Sequence, residues 1–549
     1  MKSEDDASSP ALNPQPSTLN RAALIDRLLE QPGWADHWVG YWQDVLAENP
    51  NIVNPTLNNT GPFRWWLHES FSDNKPFDRF ATELILMEGS THYGGPAGFG
   101  LASQNDSPMA AKAHVLAQAF LGMEMKCARC HDAPYHDFKQ RDLFSLAAML
   151  KRGDEKVPKT STIPGDEASL ASLLVKVTLK PGEAIPPAWP FEKGLTAKYD
   201  DGVLLNPKDQ REQLAALVTS HMNRRFAQVI VNRMWHRYLG RGLVEPIDDW
   251  EHAAPSHPEL LDYLERELIR SGYDLKHVAR LILNSHAYQR RADALAATDA
   301  KRAALFAGPV PRRMSAEQVV DSLFAAVGKP LHTEELSVDT DSQRSFESSL
   351  SMGTPQRAWQ FASLSNERDR PALSLPAAQT IINVLETFGW RASRPDPLSV
   401  RPVETTVLQP AVLANGVAAK RVTQLSDDSL ITELALKDQP LADFIDSVYR
   451  AILTRPATSA ERELFRELLA DGYDTRRVDA PIMKPLPPRN TGVTWSNHLK
   501  PEASDRKLAL AKELEAGDPP TKRLQPDWRE RAEDLLWTLI NSPEFVFVP

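Results

Sequence analysis

The stretch LGMEMKCARCHDAPYHDFKQRDLFSLAAML, residues 121–150, holds the only two cysteines of a 549-residue chain. They read Cys127-Ala128-Arg129-Cys130-His131, the C-x-x-C-H pattern of covalent c-type haem attachment. Thiols three residues apart can reach the two vinyl groups on one haem edge, and the adjoining imidazole then meets the iron from the proximal side. The same residues leave two other readings open. In one, Cys127, Cys130, His131 and His136 supply four zinc ligands, although adjacent Cys130 and His131 make tetrahedral closure awkward. In the other, the cysteines are a redox or structural pair. Two cysteines are too few for a disulfide framework, so the fold must rest on apolar cores.

Outward from the motif, the pattern is helical. Ser107-Pro108 opens a helix whose apolar positions recur at helical spacing up to the cysteines, and LFSLAAML forms a short apolar helix after them. Upstream, Trp34, Trp38 and Trp42 stand four apart and share one helix face. A packed core face is the favoured reading, with an aromatic wall against a haem as the functional one. The iron's sixth position is open. His114, on the incoming helix, and His136, five residues past His131, are the first candidates for a distal ligand. His136 follows a turn at Pro134 and can hardly be carried round to the opposite haem face. Met109, Met123 and Met125 are near, and His37, His68, His92, His252 and His257 are more distant candidates.

Composition sets the frame. Prolines number 43 and glycines 25, which fits helices joined by long, stiff connectors. The expected fold is mainly α, with two helical lobes, Pro-rich connectors and room for a small β-element near 170–205. Residues 1–20 are polar and Pro-rich and are expected to be disordered. A helical haem-binding domain is expected over 21–155, a Pro-rich connector over 156–207, and a second helical domain over 208–549 with a loop-rich insertion near 331–410. Ser256/Glu259, Ser315/Gln318 and Thr458/Glu461 have capping-box spacing, Asp274 is placed to cap a helix, and 473–525 reads as polar and proline-bearing.

A net charge of −10 leaves no electrostatic footprint for nucleic acid, and no run has the length of a membrane span. Residues 1–18 have no apolar core and do not form a signal peptide. Haem attachment nonetheless requires export, so a periplasmic or extracellular location is expected with the leader missing from the given chain. Arg224, Arg225, Arg233, Arg237 and Arg241 form a basic group, read as an ion-pair network with Asp248, Glu251 and Glu259 rather than a dock for propionates or an acidic sugar. Asp248-Asp249 reads as a solvated turn or helix cap. No phosphate-binding loop, dinucleotide fingerprint or nucleophile elbow is present.

The stretch FLGMEMKCARCHDAPYHDFKQRDLFSLAAML resembles the cytochrome-like domain of a planctomycete cytochrome C-like family. NRRFAQVIVNRMWHRYLGRGLVEPIDDWEHAAPSHPELLDYLERELIRSGYDLKHVARLILNSHAYQR resembles that family's second domain, of unknown function, as do PRRMSAEQVVDSLFAAVG and EDLLWTLINSPEFVF. The resemblance implies an exported, cytochrome c-like protein associated with sulfatases and sugar degradation, and no defined reaction. Many members have a histidine where this chain has Ala133, with the histidine here at 136, so the distal side is not carried over.

The leading expectation is an exported monohaem c-type protein with Cys127 and Cys130 attaching haem c and His131 as proximal ligand. It would transfer electrons or act as a haem-dependent oxidoreductase in polysaccharide degradation, with a redox or carbohydrate-degradation partner and a glycan as ligand classes. The alternative is a helical scaffold, zinc-stabilised or haem-bearing, that binds glycan or a protein partner without catalysis.

Overall fold

Stiff connectors and helical periodicity lead to a mainly α-helical chain, and the computed structural model has that architecture. It describes residues 20–48, 61–88, 95–99, 107–163, 165–172, 175–192, 194–292, 298–335, 354–361, 375–392, 394–402, 404–485 and 499–548, with 295, 337–338, 350–351 and 493 besides. The N-terminal segment before Asn20, His92 and much of the 331–410 insertion lie outside them.

Two apolar cores organise the described residues. The first gathers the helices Arg21–Leu29, Gly33–Val45, Phe77–Leu86, Pro108–Leu121 and Gln140–Lys151. It also takes Arg224–Leu239, Pro258–Arg270 and Leu275–Asn284. The second joins Ala316–Val327, Pro376–Thr387, Leu441–Leu453, Ser459–Leu469 and Pro526–Ile540. The first core runs from Ile25 to Phe306 and takes Trp359 besides, and the second starts at Ala316, so the Pro-rich connector expected at 156–207 lies inside the first core's span. The connector itself is stitched into the first core, where Val157, Leu179, Ile185, Phe191 and Leu195 are buried.

The β-structure is minimal. Glu155–Lys156 pairs antiparallel with Ala184–Ile185, so the strand expected near 170–205 finds its partner just before the connector. Arg312–Arg313 pairs with Phe547–Val548, which brings the C-terminal tail back to the start of the second core. A third ribbon joins Ser337–Val338 to Leu350–Ser351.

Trp34, Trp38 and Trp42 are core residues. Trp42 lies 6.0 Å from the Phe120 ring in a stacked arrangement and 5.0 Å from Phe77. Trp38 stacks on Phe71 at 6.3 Å. The aromatic wall thus faces phenylalanines. Burying one such ring removes about 150–250 Å² from water, roughly 4–6 kcal/mol of gross burial.

The capping residues Ser315, Thr458 and Asp274 bond to the backbone N–H groups of Gln318, Glu461 and His277 as the spacing predicts. Ser256 does not cap. Its hydroxyl donates to the Leu243 carbonyl at 3.0 Å, and the helix starts one residue later, after His257. Pro501–Ala516 is helical although the sequence there reads as a polar connector. Only Ala503 of that helix is buried, so it has no apolar stripe to announce it, and Ala, Leu, Glu and Lys propensity shapes it instead.

Candidate functional site

The Pro108–Leu121 helix stops at Gly122, which adopts φ +64°. Glycine is needed here twice over. The left-handed backbone disfavours a side chain, and a Cβ at 122 would stand 2.7 Å from the Trp250 ring. Trp250 N–H also donates to the Gly122 carbonyl at 2.8 Å, so the 208–292 region is packed directly against the entrance to the motif.

After Met125 the chain makes one 3-10 turn, Lys126–Arg129. Buried Met125 and Ala128 anchor that turn. Its geometry gathers the motif, since Cys130 N–H donates to the Cys127 carbonyl at 3.2 Å and His131 N–H to the same oxygen at 3.3 Å. Both cysteines are free thiols; Cys127 is exposed and Cys130 partly so. Burial of the sulfur and the nearby Glu124 carboxylate push the Cys127 thiol up, against the pull of Lys126. A raised thiol is a poor thiolate at neutral pH, which disfavours a reactive redox dithiol. His131 Nδ1 lies 2.7 Å from the Asp132 carbonyl. A carbonyl can only accept, so Nδ1 carries the proton and Nε2 keeps its lone pair, the form in which imidazole binds a metal.

The second histidine is occupied elsewhere. His136 Nε2 meets Asp249 Oδ2 at 2.8 Å, and Asp137 N–H donates to Glu251 Oε1 at 2.7 Å. His136, Asp249 and Glu251 converge, with one ligand atom from each lying within 4.8 Å of the others. The ligand atoms of Cys127, Cys130, His131 and His136 do not converge in this way, which is the arrangement that a four-ligand zinc site needs. Asp248 and Asp249 are likewise committed rather than solvated: Asp248 pairs with Arg233 at 3.0 Å and accepts from Ser399, while Asp249 holds His136.

His114 is buried on the incoming helix, and neither ring nitrogen has a hydrogen-bond partner. Its Nδ1 stands 3.6 Å from Glu124 Oε1. Burial, reinforced by Lys126 and opposed by Asp396 and Asp248, holds the imidazole down to about 4. Met123 packs in the core. The folded chain binds fewer protons at His114 than the unfolded chain, so the stability due to this group is complete above pH 6.5 and drains away as pH falls towards 4. At about 1.4 kcal/mol per pKa unit, the whole effect is about 3 kcal/mol. His114→Leu should therefore flatten the acid limb between those pH values, read as the urea midpoint at successive pH values. An unchanged slope would contradict the assignment.

The basic group divides. Arg233 pairs with Asp248, and Arg224 pairs with Asp262 and Glu265 in place of the expected Glu259. Arg225 lies over the Trp250 ring, and Arg237 donates to His37 Nε2 at 3.0 Å. Arg237 belongs to a feature that periodicity did not reveal, a cavity of about 490 Å³ between the tryptophan helix and the Arg312–Arg313 strand. His37, His236, Arg237, Arg312, Arg313 and Asp321 line it, from sites nearly 300 residues apart. The readable signal was local: His236-Arg237 and Arg312-Arg313 place charge beside apolar helix and strand positions.

Two family models match the chain. The first, PSCyt2, a protein of unknown function (DUF1549), matches residues 5–155. The second, PSD1, a protein of unknown function (DUF1553), matches residues 210–469. No curated protein and no solved structure matches. Among the described residues no helix is long and apolar enough to cross a membrane. The C-x-x-C-H turn falls in the first matched region and Trp250 and Arg233 in the second, so the chain is similar to both families, in that order along the sequence.

Proposed function

We propose that the chain is an exported monohaem c-type cytochrome-like protein that transfers electrons, or serves a haem-dependent oxidoreductase reaction, in polysaccharide degradation. The observation that carries this reading is the turn at 127–131: two unpaired, accessible thiols three residues apart, followed by an imidazole whose Nδ1 is tied to the Asp132 carbonyl. That donor set fits a c-type haem. Cys127 and Cys130 would each add S–H across a vinyl group, and His131 Nε2 would hold the iron. The bound group would supply one-electron chemistry at iron.

The chain's own residues set the surroundings. Glu124, Lys126, Asp249 and Glu251 make the neighbourhood charged rather than apolar. His136 would have to give up Asp249 to serve a sixth position, and buried His114 would have to leave the core. The association with polysaccharide degradation rests on the resemblance, and the export rests on the resemblance and on the haem attachment that requires it.

A second reading, a helical scaffold that binds a ligand without catalysis, is favoured by the cavity of about 490 Å³, which none of Cys127, Cys130 and His131 lines. Expression with export and haem ligation tests the haem on which the first reading stands. The expected outcome is a Soret band that stays with the protein through acid-acetone extraction and is abolished by Cys127→Ala with Cys130→Ala. A colourless exported protein, or colour lost on extraction, would remove the haem reading.

A further inference from the structure

The cavity has an excess of donors and positive charge. Arg237 donates to His37 Nε2 and lies 5.5 Å over the Tyr41 ring, and Arg312 donates to the Tyr238 carbonyl at 3.1 Å. Arg313 donates to the Glu404 and Phe388 carbonyls, both at 3.1 Å. None of the three forms an ion pair among the described residues, whereas Arg401 on the same wall is paired with Asp44 and Glu317, and Arg357 with Asp36.

The histidines add to the imbalance. His37 Nδ1 faces the Gln318 side-chain amide nitrogen at 3.2 Å while Nε2 faces Arg237, so both ring nitrogens look at donors. A neutral imidazole accepts at only one of them, leaving one N–H without an acceptor. His236 Nδ1 is buried with no partner. Burial and Arg312 pull Arg237 down to about 10, and Tyr41 and Glu317, which act against them, do not offset that pull. Of the carboxyls on the cavity, Asp321 is the one not committed to an arginine bond. It accepts from Ala358 N–H at 2.9 Å, and burial, with Asp36 and Glu317 nearby, raises it to about 7. It is therefore a weak counter-charge at neutral pH.

An unpaired guanidinium withdrawn from bulk water is costly, and its planar fork matches oxyanions in a two-pronged way. We propose that this cavity binds a small oxyanion ligand, a carboxylate or a phosphate or sulfate ester, gripped by Arg237 and Arg312. A volume of about 490 Å³ suits a small polar molecule carrying such a group rather than a bare ion. The cavity spans both matched regions: His37 on its wall comes from the first, and Arg237 and Arg312 from the second. The strand bearing Arg312 is fixed by its ribbon to Phe547–Val548, so the site is built in the absence of ligand.

Calorimetric titration of the full chain with inorganic phosphate, sulfate, acetate and glucuronate at constant ionic strength tests this, with glucose as neutral control. Saturable one-to-one binding of an oxyanion is expected, with no heat from glucose. A preference for phosphate or sulfate identifies an ester ligand, and a preference for acetate or glucuronate identifies a carboxylate. Arg237→Gln and Arg312→Gln should each weaken binding at least about tenfold, the loss of one charge-assisted contact. The melting temperature without ligand should stay level or rise, because each change removes an unpaired cation. Arg312→Gln, on the edge ribbon, carries the test alone should Arg237→Gln not fold. Absence of binding by every oxyanion at millimolar concentration, or variants that bind as the native chain does, would overturn the proposal.

Discussion

Replacing Arg233 by alanine is expected to cost about 3–5 kcal/mol of stability, the range for removing one partner of a buried charged network. The Arg233 side chain is 1% exposed. From the Arg224–Leu239 helix it donates to the Gln118 carbonyl at 2.7 Å and the Ala119 carbonyl at 3.0 Å, and it pairs with Asp248 at 3.0 Å. The two carbonyls belong to the last turn of the helix that leads into Cys127, where intrahelical donors run out. Alanine takes the guanidinium donor from the Ala119 carbonyl in a dry core, leaves the Gln118 carbonyl with the Gly122 N–H alone, and frees a carboxylate. The measurement is the urea midpoint followed by tryptophan fluorescence. Arg466→Ala serves as control, because its pair with Glu463 is exposed on both sides and should contribute little. Amide exchange at Gly122 and Met123, whose N–H groups bond to the Gln118 and Ala117 carbonyls, should quicken in Arg233→Ala and not in the control. Equal stability of the two variants would show that the helix end needs no such support.

Asp44→Asn should have an effect of similar size, about 3–5 kcal/mol. Asp44 is buried in the last turn of the tryptophan helix, where a negative charge faces the negative helix end and gains nothing from it. What holds it there is arginine: Arg394 Nε at 2.6 Å, Arg391 at 3.6 Å, and Arg401 Nε. Glu48 shares the load through Arg394 at 3.1 Å and Arg64 at 2.8 Å. These contacts fasten residues 391–401 to a helix 350 positions earlier in the chain. Asparagine keeps the shape and removes the charge, leaving several buried guanidiniums competing for Glu48 and Glu317. Urea unfolding of Asp44→Asn, Arg394→Met and the double variant forms a cycle. A coupling near zero would reduce the network to mere proximity, whereas coupling of a kcal/mol or more is expected for residues in direct contact.

The networks around Arg233 and Asp44 explain why the lobes read from the sequence and the observed cores differ. Proline density at 156–207 goes with little regular structure: among its described residues are Lys156 of one strand, the short strand Ala184–Ile185, a bridge at Lys176 and the Glu167–Ser172 helix. It says nothing about where Val157, Leu179 or Phe191 are buried. Helical spacing placed Trp38 and Trp42 on one face correctly, because a 3.6-residue period is set within a single helix. The same spacing could not tell haem from Phe77 and Phe120 as the surface opposite. His136 shows the limit for a polar group, since its partner Asp249 lies 113 residues away.

By itself the sequence determined the helical class, the capping residues at Ser315, Thr458 and Asp274, and the grouping of Cys127, Cys130 and His131. All depend on interactions between residues a few positions apart, whose geometry the backbone fixes. The tertiary structure alone decided that Gly122 admits Trp250, that His114 is buried neutral without a hydrogen bond, and that Arg237 and Arg312 share one cavity with no ion pair to either among the described residues. Those facts turn on which distant surfaces exclude water together. Burial and the pairing of charge depend on all the neighbours in space, and a one-dimensional pattern does not encode which neighbours those are.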